Sequence, residues 1–248
     1  MAGALGTKAQ WGRFRSEFAL LKMSHGFNIF HAKEFKARNG RFAGWSPERC
    51  LRLIFDLQNL IGNSDMDGVE FVLDNRDYDS YYRIGKRSNK LQLDSKYGLC
   101  FRQCLFYIVI FITKKFSRYP IASVDETSLN VVIEGGHKNV GSVTKIFDET
   151  KKEISRLGIN LLGTITVATK DCSSELMIAD MMAYAAFDNA CKLRMGKARR
   201  AMPLEDSPIF STPIRKEGEM AHLEFKPGAI GDLRAQLEAA VEARTRRV

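Results

Sequence analysis

Asp180 is the residue of this 248-residue chain that most needs a chemical explanation. It sits within Leu176-Met177-Ile178-Ala179-Asp180-Met181-Met182-Ala183-Tyr184-Ala185-Ala186-Phe187. That segment is apolar nearly all round, so it reads as a buried helix. A carboxylate there is costly unless a cation, a donor or a proton compensates it. The plainer alternative is an exposed Asp on a polar stripe, for which Asp171 and Asp188 offer weak support. Glu134 is the second such residue. It closes the strand-like run Leu129-Asn130-Val131-Val132-Ile133, and Gly135-Gly136 follow it. In open α/β sheets, ligands bind beyond the carboxyl ends of strands. Two glycines there allow a sharp turn and a close approach. His137, three residues on, can reach the same space. A solvated loop-start Glu is the alternative.

Asp171 and Glu175 flank the turn after a second strand-like run, Leu161 to Ala168. Spaced by four, they can share a helix face if the helix starts early. A loop acid plus a first-turn acid favoured by the helix dipole is an equal alternative. Asp74 and Asp77, after Val69–Leu73, pose the same ambiguity.

Two converging carboxylates can hold Mg²⁺ or Mn²⁺, which prefer oxygen ligands. Such an ion orients and activates water for in-line attack on a phosphodiester. The expected metal set is Glu134 and Asp180 with Asp171 or Glu175, and His137 is available for proton transfer. A basic, turn-rich stretch carries Arg83, Lys86, Arg87, Lys90, Lys96 and Arg102 beside Tyr81, Tyr82 and Tyr97. These cations can grip phosphates while the rings stack on bases. Other motifs fail. Gly136 to Gly141 has the glycine spacing of a phosphate loop, but Ser142-Val143 follows where Lys-Ser/Thr is required. There is no GxGxxG and no Gly-x-Ser-x-Gly elbow. Cys100 and Cys104 share a helix face without a second pair to complete a zinc site.

The elements that must position these groups follow from periodicity. Residues 10–24 are weakly helical. Ser46-Pro47 starts a helix that carries Leu51, Ile54, Phe55, Leu57 and Ile61 and ends at Gly62. Val69 to Leu73 is a short strand. Residues 97–116 are a long apolar stretch whose length favours a helix over its β-branched local character. Strand Leu129–Glu134, helix Ser142–Leu157, strand Leu161–Ala168 and a helix from Ser173 or Ser174 to about Met195 follow in order. Such alternation predicts an α/β layer architecture with parallel neighbouring strands.

The net charge of +9 is unevenly spread: +7 over residues 1–55, −6 over 56–82, +8 over 83–118, −3 over 119–187 and +3 beyond. Basic blocks flanking acidic ones suit a phosphate backbone held beside a cation site. The longest apolar run, Cys104 to Ile112, has nine residues, against about 20 for a membrane span. The first thirty residues lack a signal core, and five cysteines show no paired spacing. A cytoplasmic location with reduced thiols and no membrane partner is therefore expected.

Four segments together resemble a known family. They are Phe30-His31-Ala32-Lys33-Glu34-Phe35, Tyr97-Gly98-Leu99-Cys100-Phe101-Arg102, Leu129 through Gly141, and Leu176-Met177-Ile178-Ala179-Asp180. In this order, over residues 10–190, they resemble the bacterial "domain of unknown function 3800" family. The resemblance implies a ribonuclease H-like fold, a mixed sheet flanked by helices, and a metal-dependent nuclease (hydrolase) role. It places Glu134 on the fourth sheet strand, Asp180 on the closing helix, and His31 in a histidine motif near the site. Family members open with an Asp-Glu-Ser-Gly strand and a hairpin, and nothing before Trp11 matches. The domain over residues 1–195 is thus expected to be incomplete at its N-terminus, without a central strand and without the first-strand Asp. Residues 196–248, with Pro203, Pro208, Pro213 and Pro227, read as a linker followed by a C-terminal helix over 229–246.

Two functional expectations follow. One is a divalent-metal nuclease, inactive if the absent Asp is essential. The other is a non-catalytic DNA- or RNA-binding module of a defence or mobile-element system. A scaffold using the 229–246 helix is a weaker third reading. Oligomeric state is left open.

Overall fold

A computed structural model of the chain describes residues 1–83, 93–118, 128–136, 138–194, 220–224, 233–236 and 238–239. In chain order the elements are β1 (Ala2–Leu5), α1 (Lys8–His25), α2 (Ala32–Ala37), α3 (Pro47–Gly62), β2 (Asp67–Val72), α4 (Asn75–Asp77), α5 (Lys96–Arg118), β3 (Leu129–Glu134), α6 (Val140–Arg156), β4 (Leu162–Ala168), α7 (Ser174–Arg194) and β5 (Met220–Glu224). Local signals account for most helix starts. Thr7 and Gln10 form a reciprocal capping box on α1, and the Ser46 hydroxyl accepts from the Arg49 amide with Pro47 in the first turn of α3. Gly26, at φ 69°, closes α1 in the left-handed region.

The strands form two sheets rather than one continuous mixed sheet. β1 pairs antiparallel with β2, and β2 pairs in parallel with β5. β3 and β4 form a separate parallel pair, in register from Leu129↔Leu162 to Glu134↔Ala168, with α6 as their crossover. Neither β1 nor β5 is anticipated by the pattern of the sequence. β1 has little strand propensity of its own. It is held by exchange with β2: the Met1 amino group donates to the Phe71 carbonyl (2.8 Å), and the Phe71 amide donates to Met1 (2.7 Å). β5 shows that the chain beyond residue 195 contributes to the first sheet as well as following it. Within 229–246, residues 233–236 and 238–239 are helical. Leu233 packs on Tyr78, Tyr82 and Leu99.

Two main cores result. The first is aromatic: Phe14, Phe18, Phe27, Phe30, Phe35, Phe42 and Trp45 interlock with Leu53, Leu57 and the α7 residues Met177, Ile178, Met181 and Met182. Edge-to-face ring contacts, such as Phe35–Phe42 at 5.0 Å, fix the path of the chain from α1 into α2. The second core packs Phe101, Leu105, Val109 and Ile112 of α5 against Val143, Ile146, Phe147 and Ile154 of α6 and against Ile133 and Leu162. α5 is long and apolar enough, by length and composition, to cross a membrane. Here it buries Leu99, Cys100, Phe101, Cys104, Leu105, Val109 and Ile112 inside the fold. α7 packs on β1 and β2 and reaches β3, so it bridges the two sheets. That bridge brings Asp180 to the end of β3.

Candidate functional site

Glu134 is the last residue of β3, and its register partner Ala168 is the last of β4. The Gly135 amide donates to the Ala168 carbonyl (2.7 Å), so the two strand ends stay joined as the chain turns. Gly136 sits at φ 83°, where a side chain is strained, which explains a glycine there. Two residues beyond β4, Lys170 turns inward and is only 8% exposed.

Lys170 organises the site. Its Nζ lies 3.3 Å from Glu134 Oε1 and 3.1 Å from Asp180 Oδ1. It also lies 3.2 Å from His31 Nδ1. An ammonium has three protons to donate, and here three acceptors surround it. Accepting at Nδ1 leaves a neutral His31 with its proton on Nε2. The second Asp180 oxygen accepts from the Ala32 amide (2.9 Å), the first residue of α2. The Asp180 carboxylate therefore has both a cation and a donor, the compensation that burial demands.

The path of α2 along α7 explains His31. The Phe30 amide donates to Met177 Sδ (3.4 Å), Ala32 donates to Asp180, and Lys36 lies over the Tyr184 ring and pairs with Asp188 (2.5 Å). Asp180, Tyr184 and Asp188 thus do form a polar stripe on α7, but α2 covers it. Tyr97, at the start of α5, also adjoins the site. Burial and the nearby Glu134 carboxylate both push its phenol pKa up.

The structure thus brings Glu134, Asp180 and His31 together. Asp171 and Glu175 go elsewhere. Asp171 is exposed, its carboxyl held below the usual range by a hydrogen bond from Thr169 and by its own amide. Glu175 pairs with Arg15 (2.7 Å) and accepts from Ser173 (2.9 Å). Burial alone would raise the Glu175 pKa, but its own amide, Ser173 and Arg15 outweigh it and the pKa falls. Asp74 caps α4 through the Arg76 amide. His137 lies outside the described residues.

Of the basic stretch, Lys86, Arg87 and Lys90 lie outside the described residues, and Arg83 is exposed. Lys96 pairs with Asp79 (2.7 Å). Arg102 makes a two-pronged contact with Asp94 (2.6 and 3.0 Å) and reaches Glu149 (3.1 Å). Burial opposes the charge on Arg102, yet Asp94 and Glu149 outweigh it and raise the pKa. Arg102 is therefore a structural cation that ties the α5 entry to α6. A different basic surface appears on α6, where Lys151, Lys152 and Arg156 line an open groove with Asp148 and Ser155.

The carboxylate pair does not fit a divalent ion as it stands. The space both carboxylates face is taken by the Lys170 ammonium. A divalent ion about 4 Å from that nitrogen would meet roughly 8 kcal/mol of repulsion at an effective permittivity of 20, twice the figure for unit charges. Mg²⁺ also demands near-octahedral oxygen ligation at about 2.1 Å. Among the described residues, no group of three or more His, Cys, Asp or Glu side chains is placed to hold a metal.

Lys170 is the residue that sequence reasoning missed. The signal was present: a buried carboxylate requires a counter-cation, and Lys170 is the basic residue just past the strand beside Glu134. The chain matches no protein-family model, no curated protein and no solved structure.

Proposed function

We propose that this chain is a nucleic-acid-binding module with a ribonuclease H-like core of the "domain of unknown function 3800" type, and that it does not cleave through a divalent ion. The observation that carries the non-catalytic half is Lys170. Its ammonium stands between the two carboxylates that the resemblance assigns to a metal, so their charge is already balanced. Binding is supported by the net charge of +9 and by Lys151, Lys152 and Arg156 along the α6 groove. Such cations neutralise phosphates and release counter-ions. With Lys170 as resident cation, Glu134, Asp180 and His31 join the ends of β3, α7 and α2 and activate no water.

Fluorescence anisotropy with labelled single-stranded DNA, duplex DNA and RNA, across a salt series, tests this reading. Affinity should fall linearly in log–log form, by about 0.9 in slope per phosphate neutralised on duplex DNA. Lys152→Ala/Arg156→Ala should flatten that slope. Salt-independent binding, or no binding, refutes it. The convergence of Glu134 and Asp180 favours one second reading, a Mg²⁺- or Mn²⁺-dependent nuclease. Cleavage that needs either ion and is lost in both Glu134→Ala and Asp180→Ala would establish that reading instead.

A further inference from the structure

We infer that the Glu134–Asp180 pair is a latent divalent-cation site, closed in this chain by its own lysine and opened by removing that one charge. This deepens the reading above and rests on its assignment of Lys170 as resident cation. Three observations carry it. Lys170 Nζ is within 3.3 Å of Glu134 Oε1, Asp180 Oδ1 and His31 Nδ1 together, which leaves none of its protons for another partner. The ammonium is deeply buried, while the Glu134 and Asp180 side chains keep 44% and 27% exposure. The acidic groups therefore retain a route to solvent and the lysine does not. The acceptors around Nζ are two carboxylate oxygens and one imidazole nitrogen, a donor set that suits Mn²⁺ once the nitrogen is gone.

Charge explains the closure. With Lys170 protonated and His31 neutral, the four side chains carry one net negative charge. Without Lys170 they carry two, beside a vacated space the size of an ammonium group. A hydrated divalent ion can then supply what the lysine supplied.

The test uses the full chain and Mn²⁺ alone, read by the electron paramagnetic resonance of free Mn²⁺ and by thermal shift. Wild type should bind no Mn²⁺ in a manner that depends on Glu134. Lys170→Met and Lys170→Gln should each gain at least a tenfold tighter Mn²⁺ interaction and an upward thermal shift with added Mn²⁺. Adding Glu134→Gln to either should abolish both gains. Wild-type binding that is lost in Glu134→Gln would overturn the inference, as would a folded Lys170→Gln that takes up no Mn²⁺. If neither lysine variant folds, the comparison of wild type with Glu134→Gln decides alone. Nucleic-acid affinity of the same proteins is a separate readout. Retained salt-dependent binding without Mn²⁺ uptake would sink the latent site and leave the proposed function standing.

Discussion

Glu134 and Asp180 share one cation, and it is the Nζ of Lys170, 3.3 Å from the first and 3.1 Å from the second. The ends of β3 and α7 are thereby tied to the loop after β4, and His31 ties α2 to the same nitrogen. Removing the lysine should be costly. Breaking a buried pair from one side costs about 3–5 kcal/mol when both partners are fully buried. Both carboxylates here keep solvent contact, so Lys170→Met should lower unfolding stability by about 2 kcal/mol in urea titrations. Glu134→Gln, at the more exposed partner, should cost less than Asp180→Asn.

Arg102 should behave as a stability residue rather than a binding one. Its paired hydrogen bonds to Asp94 (2.6 and 3.0 Å) are the planar geometry that a guanidinium makes and an ammonium does not. Arg102→Ala should cost about 2 kcal/mol, in the range for hydrogen bonds to charged groups. Arg102→Lys should recover only part of it. Thermal denaturation measures the loss, and the salt slope of nucleic-acid binding should not move.

Acid should weaken the α2–α7 contact in a defined window. Burial alone would raise the Asp188 pKa, but hydrogen bonds from Lys192 and Lys36 hold it below the usual value. A lowered folded pKa stabilises above the unfolded value, about 3.9 for Asp, and that stability is lost as pH falls through the folded value. Lys36 is raised by its hydrogen bond to Asp188, against the pull of burial. Its contribution is complete below the ordinary lysine value, about 10.4, and is lost as pH rises through the raised one. Wild type should therefore exceed Asp188→Asn by a constant margin between those limits, narrowing at either extreme. Urea midpoints across pH check this.

Tyr82 should titrate late. Its phenol is buried and lies beside Asp94, and both push its pKa up, to about 12. The unfolded chain ionises near 10, so stability is lost as pH rises from about 10 toward 12. Spectrophotometric titration should show one phenolate that Tyr82→Phe removes, appearing only near 12 or together with unfolding.

Gly136 isolates backbone strain from packing. At φ 83° it faces open space, so Gly136→Ala meets no neighbour. The expected loss is about 1–2 kcal/mol from the left-handed conformation alone. A urea midpoint equal to wild type would show that the turn relaxes freely.

Much of the fold was legible because its causes are local. The Ser46-Pro47 start, the strand ending at Glu134, the parallel β3–α6–β4 unit and the Asp180 helix all follow from caps and periodicity within one stretch of chain. β1 and β5 were not legible, because their strand character comes from pairing with β2 rather than from their own residues. The division of the strands into two sheets was hidden for the same reason. At the site, the sequence by itself determined that Asp180 needed a counter-charge and that Glu134 stood at a strand end. Which cation answers them was decided only in three dimensions. The separation between charged groups, not their order in the chain, sets the electrostatic balance, and the fold places Lys170 nearest to both.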